Sequence, residues 1–158
     1  HYNTNTWKLP KRLRGRKTIS ILTYTRISLQ GFVFTHYEKA YQTIPAAECN
    51  RITGDSFTVT TDAVIDIGNN VTLEFENMDF AEKGFRRLMV SGKTPNEVNT
   101  IHVLFRSNKG EINQMVEFSG CSEYTEQSFE LESVCGKQTV MLVFLPGSKF
   151  DLKWIRFE

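Results

Sequence analysis

Val140-Met141-Leu142-Val143-Phe144 and, after a turn at Pro146-Gly147, Phe150-Asp151-Leu152-Lys153-Trp154-Ile155-Arg156-Phe157 decide the fold. Together they read as an apolar strand pair closed by a tryptophan. A weaker copy stands near the start of the chain. Gly15, Thr18, Ile19, Ile21 and Leu22 match Gly136, Thr139, Val140, Leu142 and Val143 at a constant offset of 121 residues. After a slip of two residues, Ile27 to Phe34 falls on Phe150 to Phe157. A period of this length is too long for a solenoid unit and suits a whole β-domain. The chain is therefore expected to begin inside one domain and to continue through a second of the same kind.

Strand signals dominate the interval between the two copies. Val71, Leu73 and Phe75 alternate with Thr72, Glu74 and Glu76, and Ile101, Val103 and Phe105 with His102 and Arg106. Phe129 and Leu131 alternate in the same way with Ser128, Glu130 and Glu132. A period of two buries one face of a sheet and wets the other. Further strands are expected near Thr18 to Tyr24, Ile27 to Phe34, Ser56 to Thr60, Arg87 to Ser91, Ile112 to Phe118 and Thr139 to Leu145. Turns separate them at Gly54-Asp55, Gly68 to Asn70, Gly92 to Asn96 and Asn108 to Gly110. Only Tyr37 to Tyr41 and Phe80 to Phe85 suit short helical turns. Many short strands with almost no helix predict an all-β fold, an antiparallel β-sandwich.

The polar stretch His36 to Thr43 is the expected junction. Residues 43–158 then make one complete sandwich, and residues 1–37 a terminal strand pair of a preceding similar sandwich or an N-terminal extension. Two strands alone are marginal in water, so that pair needs a sheet to pack on.

The formal net charge of +1 gives the whole chain no steering toward nucleic acid or an anionic membrane. Lys8, Lys11, Arg12, Arg14, Arg16 and Lys17 form a basic run without interleaved aromatic rings, which reads as a wet or interdomain face. No stretch approaches the roughly 18 apolar residues of a membrane span. Localisation is left open. Cys49, Cys121 and Cys135 are odd in number and lack CxxC spacing, which argues against a zinc site. They are expected as buried free thiols, with a Cys121 to Cys135 bridge as the alternative.

Catalysis needs convergent acids, bases or nucleophiles, and no such constellation stands out. His1, His36 and His102 accompany no nucleophile signature, and His102 reads as an ordinary strand-face residue. Ser91-Gly92-Lys93-Thr94 lacks the upstream glycine of a phosphate loop, Arg87 standing there instead. Asp62 and Asp66 lack the spacing of a calcium loop.

Ala47-Glu48, Gly54, the run Ile65 to Phe75 around Gly68-Asn69-Asn70, and the closing Phe150 to Phe157 together resemble a family 6 type carbohydrate-binding module. The resemblance covers residues 43–158 and is most specific in the closing strand. It implies a jelly-roll sandwich without catalytic residues. Gly54-Asp55-Ser56-Phe57-Thr58-Val59 and Ile67 to Leu73 are also similar to the C-terminal sandwich modules of family 2 glycoside hydrolases of the β-galactosidase type. By that resemblance the chain is an accessory part of a sugar-cleaving enzyme, and its partners are the rest of that enzyme and a carbohydrate, either a galactoside or a plant or host glycan.

Members of the family hold a structural calcium between carboxylates of the opening strand and an acidic residue before the closing tryptophan. Here Glu48 keeps one carboxylate, Ala46 replaces the other, and Lys153 precedes Trp154. A cation needing six to eight oxygens is not expected beside an ammonium. The expectation is no cofactor, with calcium as the disfavoured alternative, and with Lys153 either facing Glu48 in place of the metal or pointing to solvent on an edge strand. The family also sandwiches a pyranose between two rings. Tyr124, in the loop between Phe118 and Phe129, falls where one ring is expected, and Val64 replaces the other. Asn69, Asn70 and Asp151 are the candidate polar contacts, and Trp154 is expected in the core. The resulting expectation is weak sugar binding, and its rival is a structural spacer that binds no sugar.

Overall fold

A computed structural model describes residues 3–5, 7, 16–32 and 39–158. The chain divides into two units, His1–His36 and Tyr37–Glu158.

Over its described residues, 39–158, the second unit has nine strands and two short 3-10 turns, Lys39–Tyr41 and Ala46–Glu48. The strands are β1 (Ile44–Pro45), β2 (Arg51–Thr53), β3 (Thr58–Val59), β4 (Val64–Ile67), β5 (Val71–Asp79), β6 (Arg87–Ser107), β7 (Gly110–Glu130), β8 (Lys137–Phe144) and β9 (Phe150–Phe157). Every pairing is antiparallel. The hydrogen-bonded order is β2-β5-β8-β6-β9-β4-β3, with β7 on β6 and β1 on β9.

Although the ladder is continuous, it folds into two layers because β6 serves both. Leu88 to Lys93 pair with β9, and Ile101 to Arg106 pair with β8. The inward positions change parity between the two halves: Leu88 and Val90 are buried in the first, Ile101, Val103 and Phe105 in the second. A one-residue slip moves every side chain to the opposite face, so a strand that changes parity turns its apolar side through a corner. Register shifts at Gly92/Thr94 and Thr94/Val98 mark that corner, and Pro95 sits in it. Proline is tolerated in a strand at such irregular positions, where no ladder bond is lost. Arg87 to Ser91 and Ile101 to Arg106, expected as separate strands around a turn at Gly92 to Asn96, are thus one bent strand. Ile112 to Phe118 and Phe129 are likewise joined within β7.

Between the layers lie two groups of phenylalanines. Phe80, Phe85, Phe105 and Phe157 fill one end, with ring centroids 4.8–6.0 Å apart. Phe150 meets Phe118 at 4.9 Å and Phe144 at 5.3 Å at the other. Such pairs contribute about 0.5–1.5 kcal/mol each beyond their buried area. Below the first group, the Tyr41 hydroxyl lies 2.7 Å from the Phe80 carbonyl and 2.8 Å from that of Gly84, and donates to one at a time.

In the first unit, residues 16–32 form no strand, and Ile19, Ile21, Leu22, Tyr24, Ile27, Leu29 and Phe32 are exposed. The strands expected at Thr18 to Tyr24 and Ile27 to Phe34 are therefore not formed over residues 18–32. Val33 and Phe34 lie outside the described residues. A two-stranded ribbon with no third strand or helix against its apolar side has too little burial to offset the entropy of ordering it. Most of the basic run also lies outside the described residues; Arg16 and Lys17 are exposed.

Candidate functional site

Two neighbouring bulges shape the outer face of the layer that holds β9. In β4 the register shifts between Val64 and Ile67, both buried, and Asp66 takes φ of +54°. In β9, Trp154 pairs with Ser91 and Leu152 with Gly92, leaving Lys153 as the extra residue. Bulges re-aim the side chains they carry. The left-handed Asp66 presents its backbone N–H to Asp151 Oδ1 at 2.8 Å, and Lys153 extends from the adjacent bulge.

Gly92 makes this crowding feasible. A β-carbon there would stand 2.5 Å from the Phe150 ring and 2.9 Å from the Asp151 carbonyl oxygen. The residue is glycine because Phe150 packs directly over its backbone, not because its φ demands it.

Next to Gly92, Lys93 pairs with Asp151 across β6 and β9, its ammonium 3.4 Å from Asp151 Oδ2. The same ammonium is 5.1 Å from the centre of the Tyr124 ring, and the Lys153 ammonium is 5.4 Å from it. Tyr124 lies in β7, in the irregular stretch between the pairs Thr94↔Cys121 and Gly92↔Thr125. It is a strand residue at the corner, where the sequence suggested a loop. Partial burial and the negative charges of Asp151 and Asp62 push its phenol above the ordinary value, while Lys93 opposes them. Among described residues 39–158, Tyr124 is the exposed aromatic ring, at 38 %.

Of the four expected contact residues, Tyr124 and Asp151 come together. Asn69 and Asn70 are engaged in a different cluster. Asn69 Oδ1 accepts the Gly147 N–H at 2.8 Å; Asn70, at φ of +54°, donates from Nδ2 to Asp55 Oδ2 at 3.2 Å. Asn96 adds a bond from Nδ2 to the Gly147 carbonyl at 2.9 Å, and Asn99 Oδ1 accepts the Lys149 N–H at 3.2 Å. Asn69, Asn96 and Asn99 fix the β8–β9 connection, and Asn70 ties the β4–β5 turn to Asp55. Lys93 was missed in the sequence, where only the β6–β9 register would have shown that it faces Asp151.

Lys153 and Glu48 are not an ion pair. The ammonium lies against Tyr124, and Glu48 sits half-buried at the end of the turn Ala46–Glu48. Ala46, where the resemblance implies a second carboxylate, is fully buried. Among the described residues no three His, Cys, Asp or Glu side chains are grouped to hold a metal ion. Val64, in place of the second ring, belongs to the core at 0 % exposure. Trp154, expected in the core, is half-buried with the Arg156 guanidinium 5.3 Å from its ring. The thiols also differ from expectation: all three are free, but Cys49 and Cys121 are half-buried and Cys135 is exposed.

A groove of about 390 Å³ lies elsewhere, lined by Glu76, Asn77, Arg106, Lys137 and Thr139 among others. It is open and has no ring in its lining.

No family model matches the sequence, and no curated protein matches it. Solved structures do match. CsCBM6-3 of Clostridium stercorarium, in complex with cellobiose, has 20 % identity and a TM-score of 0.66 over 75 % of this chain and 94 % of that one. A family 6 carbohydrate-binding module of Clostridium cellulolyticum, in complex with xylose, has 23 % identity and a TM-score of 0.64 over 75 % and 98 %. The fold is shared with family 6 carbohydrate-binding modules. A glycoside hydrolase family 43 arabinoxylan arabinofuranohydrolase of Bacillus subtilis, in complex with cellotetraose, also matches. Its identity is 18 % and its TM-score 0.61, and the match takes up 75 % of this chain but 27 % of that one. The module fold therefore recurs both alone and within a much longer enzyme chain.

Proposed function

We propose that the sandwich is a non-catalytic carbohydrate-binding module that holds a sugar at Tyr124. The observation that carries this reading is the exposed Tyr124 ring beside the Lys93–Asp151 pair. A pyranose offers an apolar C–H face to a ring and hydroxyls to polar groups. Asp151 Oδ1 and Oδ2 keep lone pairs beyond those used by the Asp66 N–H and Lys93, and an ammonium has three donors. One ring and two polar side chains leave little after the costs of ordering, so affinity is about millimolar, near −4 kcal/mol. Asn69 acts through the β8–β9 connection that it pins, and Asn70 through the turn before β5 that it ties to Asp55.

The parent chain in this reading is a multidomain glycoside hydrolase, of the β-galactosidase type by sequence resemblance. The repeat of the β8 and β9 pattern within residues 18–34 supports reading residues 1–37 as the end of a preceding similar sandwich or as an N-terminal extension. The module needs no calcium.

A spacer that packs on the catalytic domain or a second subunit is the second reading. It is favoured by the burial of Val64 in the core, which leaves Tyr124 without an opposing ring. Protein NMR during titration with galactosides, xylo-oligosaccharides and gluco-oligosaccharides separates the two. Binding gives shifts around Tyr124, Lys93 and Asp151 that Tyr124→Ala abolishes. A flat titration at tens of millimolar sugar leaves the spacer.

A further inference from the structure

The two ammonium groups over Tyr124 bear on which sugar the site accepts. Lys93 is neutralised by Asp151, whose other oxygen is occupied by the Asp66 N–H. Lys153 has no such partner: among the described residues no carboxylate lies within ion-pair distance of it, and its ammonium lies over the Tyr124 ring. An exposed lysine on an ordinary strand position would extend into water. Here the bulge in β9 turns it toward the ring that also receives Lys93.

A neutral pyranose stacking on Tyr124 has to displace ammonium groups from the ring and gives them only hydroxyl oxygens in return. A sugar bearing a carboxylate or a sulfate supplies the missing counter-charge for Lys153, in a charge-assisted bond shorter and stronger than a neutral one. We propose that the site selects anionic saccharides, with Lys153 as the residue that reads the acidic group and Tyr124 as the surface beneath the sugar. Asp151 and Asp62 put negative charge at the ring, and Asp66 stands beside Asp151. Asp151 is held by Lys93 and by the Asp66 N–H, and Asp62 and Asp66 are exposed to solvent, where their repulsion is screened.

This inference rests on the sugar-binding reading, and the test keeps the two apart. Methyl glucuronide and galacturonate are titrated against methyl glucoside and methyl galactoside, with glucose 6-sulfate as a third arm, and Tyr124 shifts are followed by NMR. Selection gives at least about a tenfold preference for the acidic sugars, equivalent to about 1.4 kcal/mol, and the preference shrinks as salt rises. Lys153→Met abolishes the preference and Lys153→Arg retains it, with thermal melting confirming that both variants fold. The sulfate and carboxylate arms show which acid the geometry favours. Equal or tighter Tyr124-dependent binding of the neutral sugars overturns the selectivity and leaves the sugar-binding reading intact. The absence of Tyr124-dependent shifts with every sugar overturns both.

Discussion

Lys93 Nζ stands 3.4 Å from Asp151 Oδ2, joining the middle of β6 to the start of β9 on the outer face of the sandwich. The side chains are 37 % and 22 % exposed. At that exposure the pair contributes at most about 1 kcal/mol to stability. Its larger effect is electrostatic, on the ring beside it.

The Tyr124 phenol therefore reports the state of the pair. Burial is the first cause of its upward shift, Asp151 the second, and Lys93 works against both. Difference titration at 295 nm between the native protein and Tyr124→Phe is expected to show ionisation above the reference value of 10.0. Asp151→Asn moves it down, and Lys93→Met moves it up. For a phenol that keeps its proton more tightly when folded, stability is unaffected below about pH 10 and falls as pH rises from the unfolded toward the folded value. A midpoint below the reference value would contradict the geometry.

Gly92→Ala is expected to lower stability by about 1–3 kcal/mol, the usual cost of overpacking. The added methyl meets the Phe150 ring, which is held between Phe118 and Phe144. Denaturant unfolding measures the loss. Gly92→Ala combined with Phe150→Leu should recover part of it, because a smaller side chain frees the space above the backbone.

Thiol labelling should divide the cysteines. Burial pushes the Cys49 thiol above its ordinary value, and only the thiolate reacts. Cys135 is exposed. With a chromogenic disulfide at pH 8 under native conditions, Cys135 is expected to react first and Cys49 more slowly. Cys135→Ser should remove the fast phase. Equal rates for all three would mean that the turn Ala46–Glu48 opens freely.

The melting temperature is expected to be the same in excess calcium and in excess chelator, since Ala46 is buried where a ligand would be needed and Lys153 lies beside Tyr124. Calorimetry checks this. A melting point that rises with calcium would locate a site built from oxygens other than the expected carboxylates.

The all-β character of this protein was legible in its sequence, because alternation at Val71 to Phe75, Ile101 to Phe105 and Phe150 to Phe157 requires only local geometry. The sandwich followed from the number and length of such runs. Resemblance to a known family singles out Tyr124 and Asp151, which the fold brings to the same lysine, Lys93. What the chain alone could not show was which residues face each other across the corner. β6 and β7 read as pairs of short strands because a register shift interrupts alternation in the same way as a turn does. Residues 18–32 carry the local pattern of strands and form none, because alternation by itself supplies no partner for a ladder.

Sequence by itself therefore determined the alternating strands β5, β8 and β9 and the apolar face of each, since backbone sterics and side-chain alternation act over a few residues. Tertiary structure decided that Lys153 turns to Tyr124 and not to Glu48, and that Lys93 meets Asp151. Both depend on bulges whose position is set by packing: Phe150 over Gly92, and Val64 with Ile67 both drawn into the core. A single extra residue in a strand reverses which face its neighbours occupy, and only the assembled layers select where that residue sits.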